Sequence, residues 1–533
     1  MTRTTRVSLR TLAAVALLYF ALALVYTYPL VMSPAEANRF NSPDALLTAW
    51  ILSWDLHQLG NGSLNLFDAN IFFPDVNTLA YSENLVSAAL LVLPLWFATD
   101  NPILLVNAAL LLALMANGIA GFLLGFSFSR STSGAALTGL LLAFGSFHWA
   151  HIPHLQLQLF FPLAMAFYFA RRMRDEPGFR PAIGLALAVS ATLGASGYYA
   201  LFLATALPFF VVADLWGVGR GERQRAVAGF ALSAPLVASL CLPLLLPYGS
   251  KMNAGYRRAL STAEENSAHP VAYITSVARL HFFLPTGEQE PFFPGFAGVG
   301  LLGLAIFRAV TKGSRRRDVL VWSLVGLLGI AISLGPDFGL FSLLHQLGPY
   351  QGLRVPSRAG ILLLLAASVL AGIGLSHVRR RGRRLFLVVL AAAECYAGPL
   401  PWIMDVPELP PIYETVANLD EPGALVELPL PPPESFQDNA RYVYRSIFHW
   451  RPLVNGYSGF VPHSYREAHR LLMSEELETG LQRMASVGVR FLLAHTARLG
   501  PRVRRGIDAA EEAKKLELVD EKGSDRLYRI LAR

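Results

Sequence analysis

Residues 85–98 read LVSAALLVLPLWFA, and whether this stretch crosses a membrane decides the topology of the whole chain. A span needs roughly 20 apolar residues. This run is shorter and is broken by Pro94, which has no N–H to give to the helical ladder. Around it, basic clusters punctuate a series of apolar stretches: Arg3–Arg10, Arg130, Arg171–Arg180, Arg220–Arg225, Lys312–Arg317 and Arg379–Arg384. Cytoplasmic loops carry the excess of Lys and Arg. If 85–98 crossed, every later cluster would fall outside. It is therefore read as a helix lying on, or dipping into, the outer face.

The remaining apolar stretches then thread without strain. The first runs from about Leu12 to Met32, too long for a signal-peptide core, and is read as an uncleaved span despite the A-x-A pattern at Ala35–Ala37. Further spans are expected near 103–127, 133–149, 156–171, 181–195, 200–216, 225–247, 294–310, 318–334, 359–376 and 385–401. The fold class is thus a polytopic α-helical membrane protein of about eleven transmembrane helices. Residues 1–401 form the membrane domain, including a first external loop at 33–102, and residues 402–533 a small extracytoplasmic α/β domain. The N-terminus is expected in the cytoplasm. Outside lie the first loop, the turns at His151–His154 and Ser196–Tyr199, the loops Gly249–Pro294 and Pro336–Arg358, and the tail.

Composition agrees. The chain is 53% apolar and only 15% charged, against about 25% charged for soluble domains. Its net charge of +8 sits in short loops beside apolar runs, so it is read as topology and contact with anionic membrane lipids. No aromatic-rich basic stripe suggests nucleic acid. Cys241 and Cys395 lie in apolar stretches without a C-x-x-C pattern, which reads as small buried residues. In the tail, Ala424–Leu430 and Val489–Ala494 read as buried strands, Ala440–Phe448 and Glu475–Met484 as helices, and Leu516–Val519 with Arg526–Ile530 as a terminal hairpin.

The external segments hold the candidate residues. Ser42 or Asn41 can cap a helix with Pro43 in its first turn, placing Asp44 where the helix dipole favours a carboxylate. A first-turn acid needs no further function. Asp55 and His57 read as the polar end of the same helix. Glu83 precedes the 85–98 helix and is equally an ordinary N-terminal acid. His148, His151 and His154 recur every three residues, and Gln156 and Gln158 follow. Two His at that spacing can share a metal, but Pro153 interrupts the helix; they can also donate to phosphate oxygens, or form a polar interfacial turn. Arg354 and Arg358 stand outside against the positive-inside bias, which suits a bidentate phosphate contact. Pairing with carboxylates or lipid headgroups is the plainer reading. Tyr198 and Tyr199 offer hydroxyls or stacking, or belong to an aromatic belt. Glu394, inside the last span, is functional or paired across helices. There is no Walker loop, dinucleotide-binding glycine pattern, H-E-x-x-H or G-x-S-x-G.

A first span, a long external loop with an early Asp, many further spans and an external soluble tail together resemble the GT-C superfamily of membrane glycosyltransferases. The strings PDALLTAWILSW (43–54), NIFFP (70–74), LAYSEN (79–84), HIPHLQL (151–157), RVPSRAG (354–360) and HWRPLVNGYSGF (449–460) are similar to bacterial multi-spanning proteins described as predicted glycosyltransferases. The resemblance implies a sugar transferred from a polyprenyl-phosphate-linked donor to an extracytoplasmic glycan, lipid or protein at the bacterial inner membrane. It implies Asp44 as the catalytic carboxylate. The superfamily often carries a second acidic motif near a later external loop. The stretch around His151–His154 has no acid, which shifts the supporting role to Glu83 or the histidines and leaves a divalent cation open as cofactor. Two other readings compete: a non-catalytic scaffold of envelope polysaccharide assembly, and a transporter of lipid-linked sugar. The second expects ionisable residues on several spans, where Glu394 is nearly alone.

Overall fold

The computed structural model describes residues 7–37, 42–287, 290–403, 409–474 and 476–531. Arg3 and Arg6 of the first basic cluster, the alternative cap Asn41, and Glu475 at the start of an expected tail helix lie outside the described residues. The chain divides into two compact units. One comprises Met1–Ala35, Leu85–Val92 and Leu104–Trp402; the other comprises Glu36–Asn84, Leu93–Ile103 and Ile403–Arg533.

In the first unit, helices stand at the expected apolar stretches: Leu9–Tyr26, Pro102–Ser129, Thr132–Phe144, Phe161–Asp175, Phe179–Leu193, Gly197–Leu215, Arg220–Asn253, Phe296–Lys312, Arg316–Ser333, Ile361–Ser376 and Arg381–Cys395. Among the described residues, five are long and apolar enough to cross a membrane by themselves: those starting at Leu9, Pro102, Gly197 and Arg220, and the segment Pro356–Ser376. The helix at Val86–Trp96 has 11 residues with Pro94 inside. At 1.5 Å per residue it is about 16 Å long, roughly half a hydrocarbon core.

Small residues let these helices approach closely, as helix packing without a hydrophobic drive requires. Ile361–Ser376 is buried almost throughout. Thr138 Oγ1 donates to Ser368 O at 3.1 Å. A Cβ on Gly121 would stand 2.8 Å from Gly139 Cα. Glu394 acts structurally. Its carboxylate accepts from Phe296 N (2.8 Å) and Ala297 N (2.9 Å), capping the Phe296–Lys312 helix, with His281 Nε2 at 3.4 Å. Both cysteines are buried and unbridged.

At the helix ends that carry the basic loops, Arg171 and Arg174 turn inward, and the exposed Arg130 pairs beside them. Arg171 Nη1 lies 2.6 Å from Asp214 Oδ1 and 2.9 Å from Asp318 Oδ1; Arg174 Nη1 reaches Asp214 Oδ1 at 2.7 Å and Arg130 reaches Asp175 at 3.2 Å. The reading of these clusters as lipid contacts therefore needs correction for Arg130, Arg171 and Arg174, which pair with carboxylates from three helices.

The second unit contains a four-stranded sheet of order β1-β2-β4-β3, with β1 Ala424–Leu428, β2 Val489–His495, β3 Leu516–Lys522 and β4 Asp525–Ile530. β1 and β2 are parallel, and β2–β4 and β4–β3 antiparallel. The helices between β1 and β2 provide the crossover that a parallel pair demands. They include Ala440–Arg445, His463–Leu472 and Leu477–Ser486. Ile412, Tyr413, Leu425, Leu453, Phe491 and Leu527 form the core. The edge of β1 is extended by residues 452–454: Leu425 N donates to Pro452 O (2.8 Å) and Val454 N to Leu425 O (2.9 Å). That segment pairs in turn with 70–73 of the first loop, through Leu453 N to Asn70 O (2.8 Å) and Phe73 N to Leu453 O (2.9 Å). Asp55, expected at a polar helix end, is fully buried, and on the same helix the tail residue Trp450 stacks on His57 at 4.4 Å.

Candidate functional site

The first group of candidates gathers at the other helix ends of the first unit. The Thr132–Phe144 helix stops at Gly145, a short turn of helix follows at Ser146–Ala150, and Pro153 forces the chain to bend before Leu155–Gln158. Gln158 holds that bend, donating from Nε2 to His148 O (3.0 Å) and His151 O (2.7 Å). His148 is buried between Leu142 O (2.8 Å) and Gln158 Oε1 (3.1 Å), so it belongs to the fold. Tyr199 is also buried, and its hydroxyl donates to Leu157 O at 2.8 Å.

His151 does something different. Its Nδ1 lies 2.8 Å from Phe147 O, and its Nε2 lies 3.3 Å from Glu290 Oε2. Both ring nitrogens thus face acceptors, the Glu290 carboxylate among them. The other Glu290 oxygen is 3.6 Å from Arg358 Nε, and the Arg358 guanidinium lies over the Tyr198 ring at 4.7 Å. Burial pushes the Glu290 carboxyl up, but His151, then Arg358 and His154, outweigh it and hold it below the ordinary carboxylate range. The His154 ring lies 5.8 Å from that of His151.

More positive charge lies next to this group. Arg258 is held below its ordinary range by burial and then by the charge of Arg354, and it interacts with Tyr198. Its backbone is fixed by Arg258 N to Gln351 O at 2.7 Å. Arg354 is exposed on the turn before Pro356–Gly360. His151 and Arg358 thus share one buried carboxylate, and Arg258 and Arg354 lie close to each other on the Tyr198 side, an arrangement with capacity for an anion. No acid lies near His151–His154 in sequence. The fold supplies Glu290 from a loop more than a hundred residues on. Neither Glu290 nor Arg258 stood out in sequence, although both lie in the Gly249–Pro294 loop already expected to be external.

A divalent cation fits these residues poorly. Glu290 is engaged by His151 and the Arg358 guanidinium, and among the described residues no three His, Cys, Asp or Glu side chains gather as a metal would require.

The second group lies in the second unit. Ser42 caps the Pro43–Gly60 helix, its side chain accepting from Ala45 N at 3.3 Å, with Asp44 in the first turn. Tyr457 OH donates to Asp44 Oδ1 at 2.5 Å, and the Tyr457 ring meets the edge of Phe436 at 5.4 Å. Tyr457 carried no signal of its own beyond its place in HWRPLVNGYSGF. Glu83 is half-buried in the link between the Thr78–Tyr81 turn and the Val86–Trp96 helix.

No protein-family model matches the chain, and no curated protein matches its sequence. Solved structures do. The archaeal oligosaccharyltransferase AglB from Archaeoglobus fulgidus, in complex with an inhibitory peptide and a dolichol-phosphate, superposes with a TM-score of 0.52 at 9% identity, over 91% of this chain and 69% of AglB. The arabinofuranosyltransferase AftD from Mycobacteria gives a TM-score of 0.62 at 13% identity, over 99% of this chain and 40% of AftD. The chain therefore spans two-fifths of AftD's length. The chain thus shares its fold with these two structures.

Proposed function

We propose that the protein is an integral-membrane glycosyltransferase that moves a sugar from a polyprenyl-phosphate-linked donor to an extracytoplasmic acceptor. The observation that carries this reading is the pairing of His151 and Arg358 on Glu290, with Arg258 and Arg354 close together on the Tyr198 side, on a fold shared with glycosyltransferases of which one, AglB, is seen with dolichol-phosphate. A lipid-phosphate leaving group gains charge in the transition state, and fixed cations in a site of low dielectric favour it. Arg358 offers a planar fork suited to phosphate, and His151 a ring nitrogen within reach of the same carboxylate. His154 and Tyr198 complete the phosphate end in this reading.

Asp44 is assigned as the catalytic carboxylate. It would accept the proton of an acceptor hydroxyl, and its charge would favour a sugar with oxocarbenium character. Glu83 is retained as a supporting acid. The protein is placed in the bacterial inner membrane with its tail outside and its donor embedded among membrane lipids. Native mass spectrometry of the intact protein with a polyprenyl phosphate tests the donor end. Binding to the wild type, weakened in Arg358→Ala, is expected; equal binding by both would contradict the assignment.

A further inference from the structure

We infer that Tyr457 is the positioning residue of Asp44, so that the tail sets the geometry of the catalytic carboxylate. This rests on the reading of Asp44 given above. The hydroxyl donates to Asp44 Oδ1 at 2.5 Å across 413 residues of sequence. A charge-assisted bond of this length is among the stronger kinds, and it fixes the plane of a side chain whose terminal torsion is otherwise broad.

Both partners are built on one ladder. On the tail side, Asn455 is fully buried, and its side chain accepts from Glu427 N (2.8 Å) and donates to Glu427 O (2.9 Å), pinning the segment before Tyr457 to β1. Asn455 O accepts from Phe72 N at 3.1 Å, and Gly459 N donates to Tyr81 O at 3.1 Å, so the first loop grips the segment on both sides of Tyr457. Gly456 is required there, because a side chain would enter the Phe72 ring. On the Asp44 side, Trp50 Nε1, on the same helix, donates to Asn70 Oδ1 (3.2 Å), and Asn70 Nδ2 donates to Arg451 O (3.2 Å). The helix that begins beside Asp44 and the strand segment that leads to Tyr457 thus share Asn70. Holding a reacting group this way is worth large rate factors, since a misplacement of about 1 Å can cost on the order of 100-fold.

The test uses the full chain in nanodiscs, as wild type and Tyr457→Phe, which keeps the ring and removes the donor. Carbodiimide labelling of carboxyl groups is followed peptide by peptide against pH. The labelling midpoint of Asp44 is expected to rise by about one unit in the variant, while those of Asp68 and Asp75 in the same unit stay fixed. An unchanged Asp44 midpoint overturns the inference. So does a rise shared by all three groups, which would mean general loosening. With a donor that the wild type consumes, kcat is expected to fall about 10- to 100-fold at a KM within about threefold. Failure of the wild type to consume any donor would count against the proposed function, and the labelling result would still decide the role of Tyr457.

Discussion

His151 Nε2 lies 3.3 Å from Glu290 Oε2 while its Nδ1 faces Phe147 O at 2.8 Å, so one buried acid holds the ring of a histidine that has no acidic neighbour in sequence. Removing that acid takes from His151 and the buried Arg358 the carboxylate they share. Glu290→Ala is expected to destabilise the protein by about 3–5 kcal/mol, seen as a lower unfolding temperature in detergent. Unchanged stability would mean that the pair is not formed.

Arg358 tests what the cluster recognises. Arg358→Lys keeps the charge but loses the planar fork and the face it lays on Tyr198. Affinity for a polyprenyl phosphate is expected to fall about tenfold, the equivalent of roughly 1.4 kcal/mol. Titration of the purified protein with the lipid checks this; equal affinity would show that a point charge suffices.

At the opposite helix ends, Asp214 is buried and bonded to both Arg171 and Arg174. Asp214→Asn is expected to cost about 3–5 kcal/mol, because two arginines lose their shared counter-ion. Thermal unfolding measures it. The lipid-phosphate affinity of the folded fraction should stay unchanged, since the residue lies away from the proposed donor site.

The tail carries its own titrating pair. His495 Nδ1 is 2.8 Å from Asp525 Oδ1 and its Nε2 is 3.2 Å from Glu427 Oε2, with the Tyr442 ring parallel to it at 5.4 Å. Burial pushes this imidazole down, but Asp525 and Glu427 outweigh it and hold it above its ordinary value. A raised folded value means that the stabilisation is fully present below about pH 6.5 and is lost as pH rises through the folded value. Hydrogen exchange in β2 and β4 of the intact protein, corrected for intrinsic rates, should therefore show protection falling with rising pH. His495→Gln should flatten that dependence; an identical slope in both proteins would contradict it.

How much of this was legible in the sequence follows from what is local. The Pro43–Gly60 helix was readable because Ser42, Pro43 and Asp44 are neighbours and follow capping rules. The tail strands were readable because ALVEL and VRFLLAH are apolar runs bounded by turn residues. The long apolar helices announced themselves by length. The tail helices His463–Leu472 and Pro501–Glu512 do carry a helical spacing, with Tyr465, Ala468 and Leu471–Leu472 on one face of the first and Val503, Ile507 and Ala510 on one face of the second, but each has too few apolar residues to stand out among its charges. Glu290 and Tyr457 were illegible for another reason. Nothing near them in sequence distinguishes them, and their partners His151 and Asp44 are brought close only by the fold. Tyr199 shows the reverse case: its place beside Tyr198 suggested a shared role, yet its hydroxyl goes to Leu157 O while Tyr198 meets Arg358.

The most direct measurement is turnover of a panel of polyprenyl-phosphate sugars by the purified protein, wild type beside Asp44→Asn. The account predicts that at least one donor is consumed by the wild type and that the variant, folded and still able to bind the lipid phosphate, consumes none. Turnover retained in Asp44→Asn would contradict the assignment of the catalytic carboxylate. Failure of the correctly folded wild type to bind or consume any donor would contradict the glycosyltransferase reading itself.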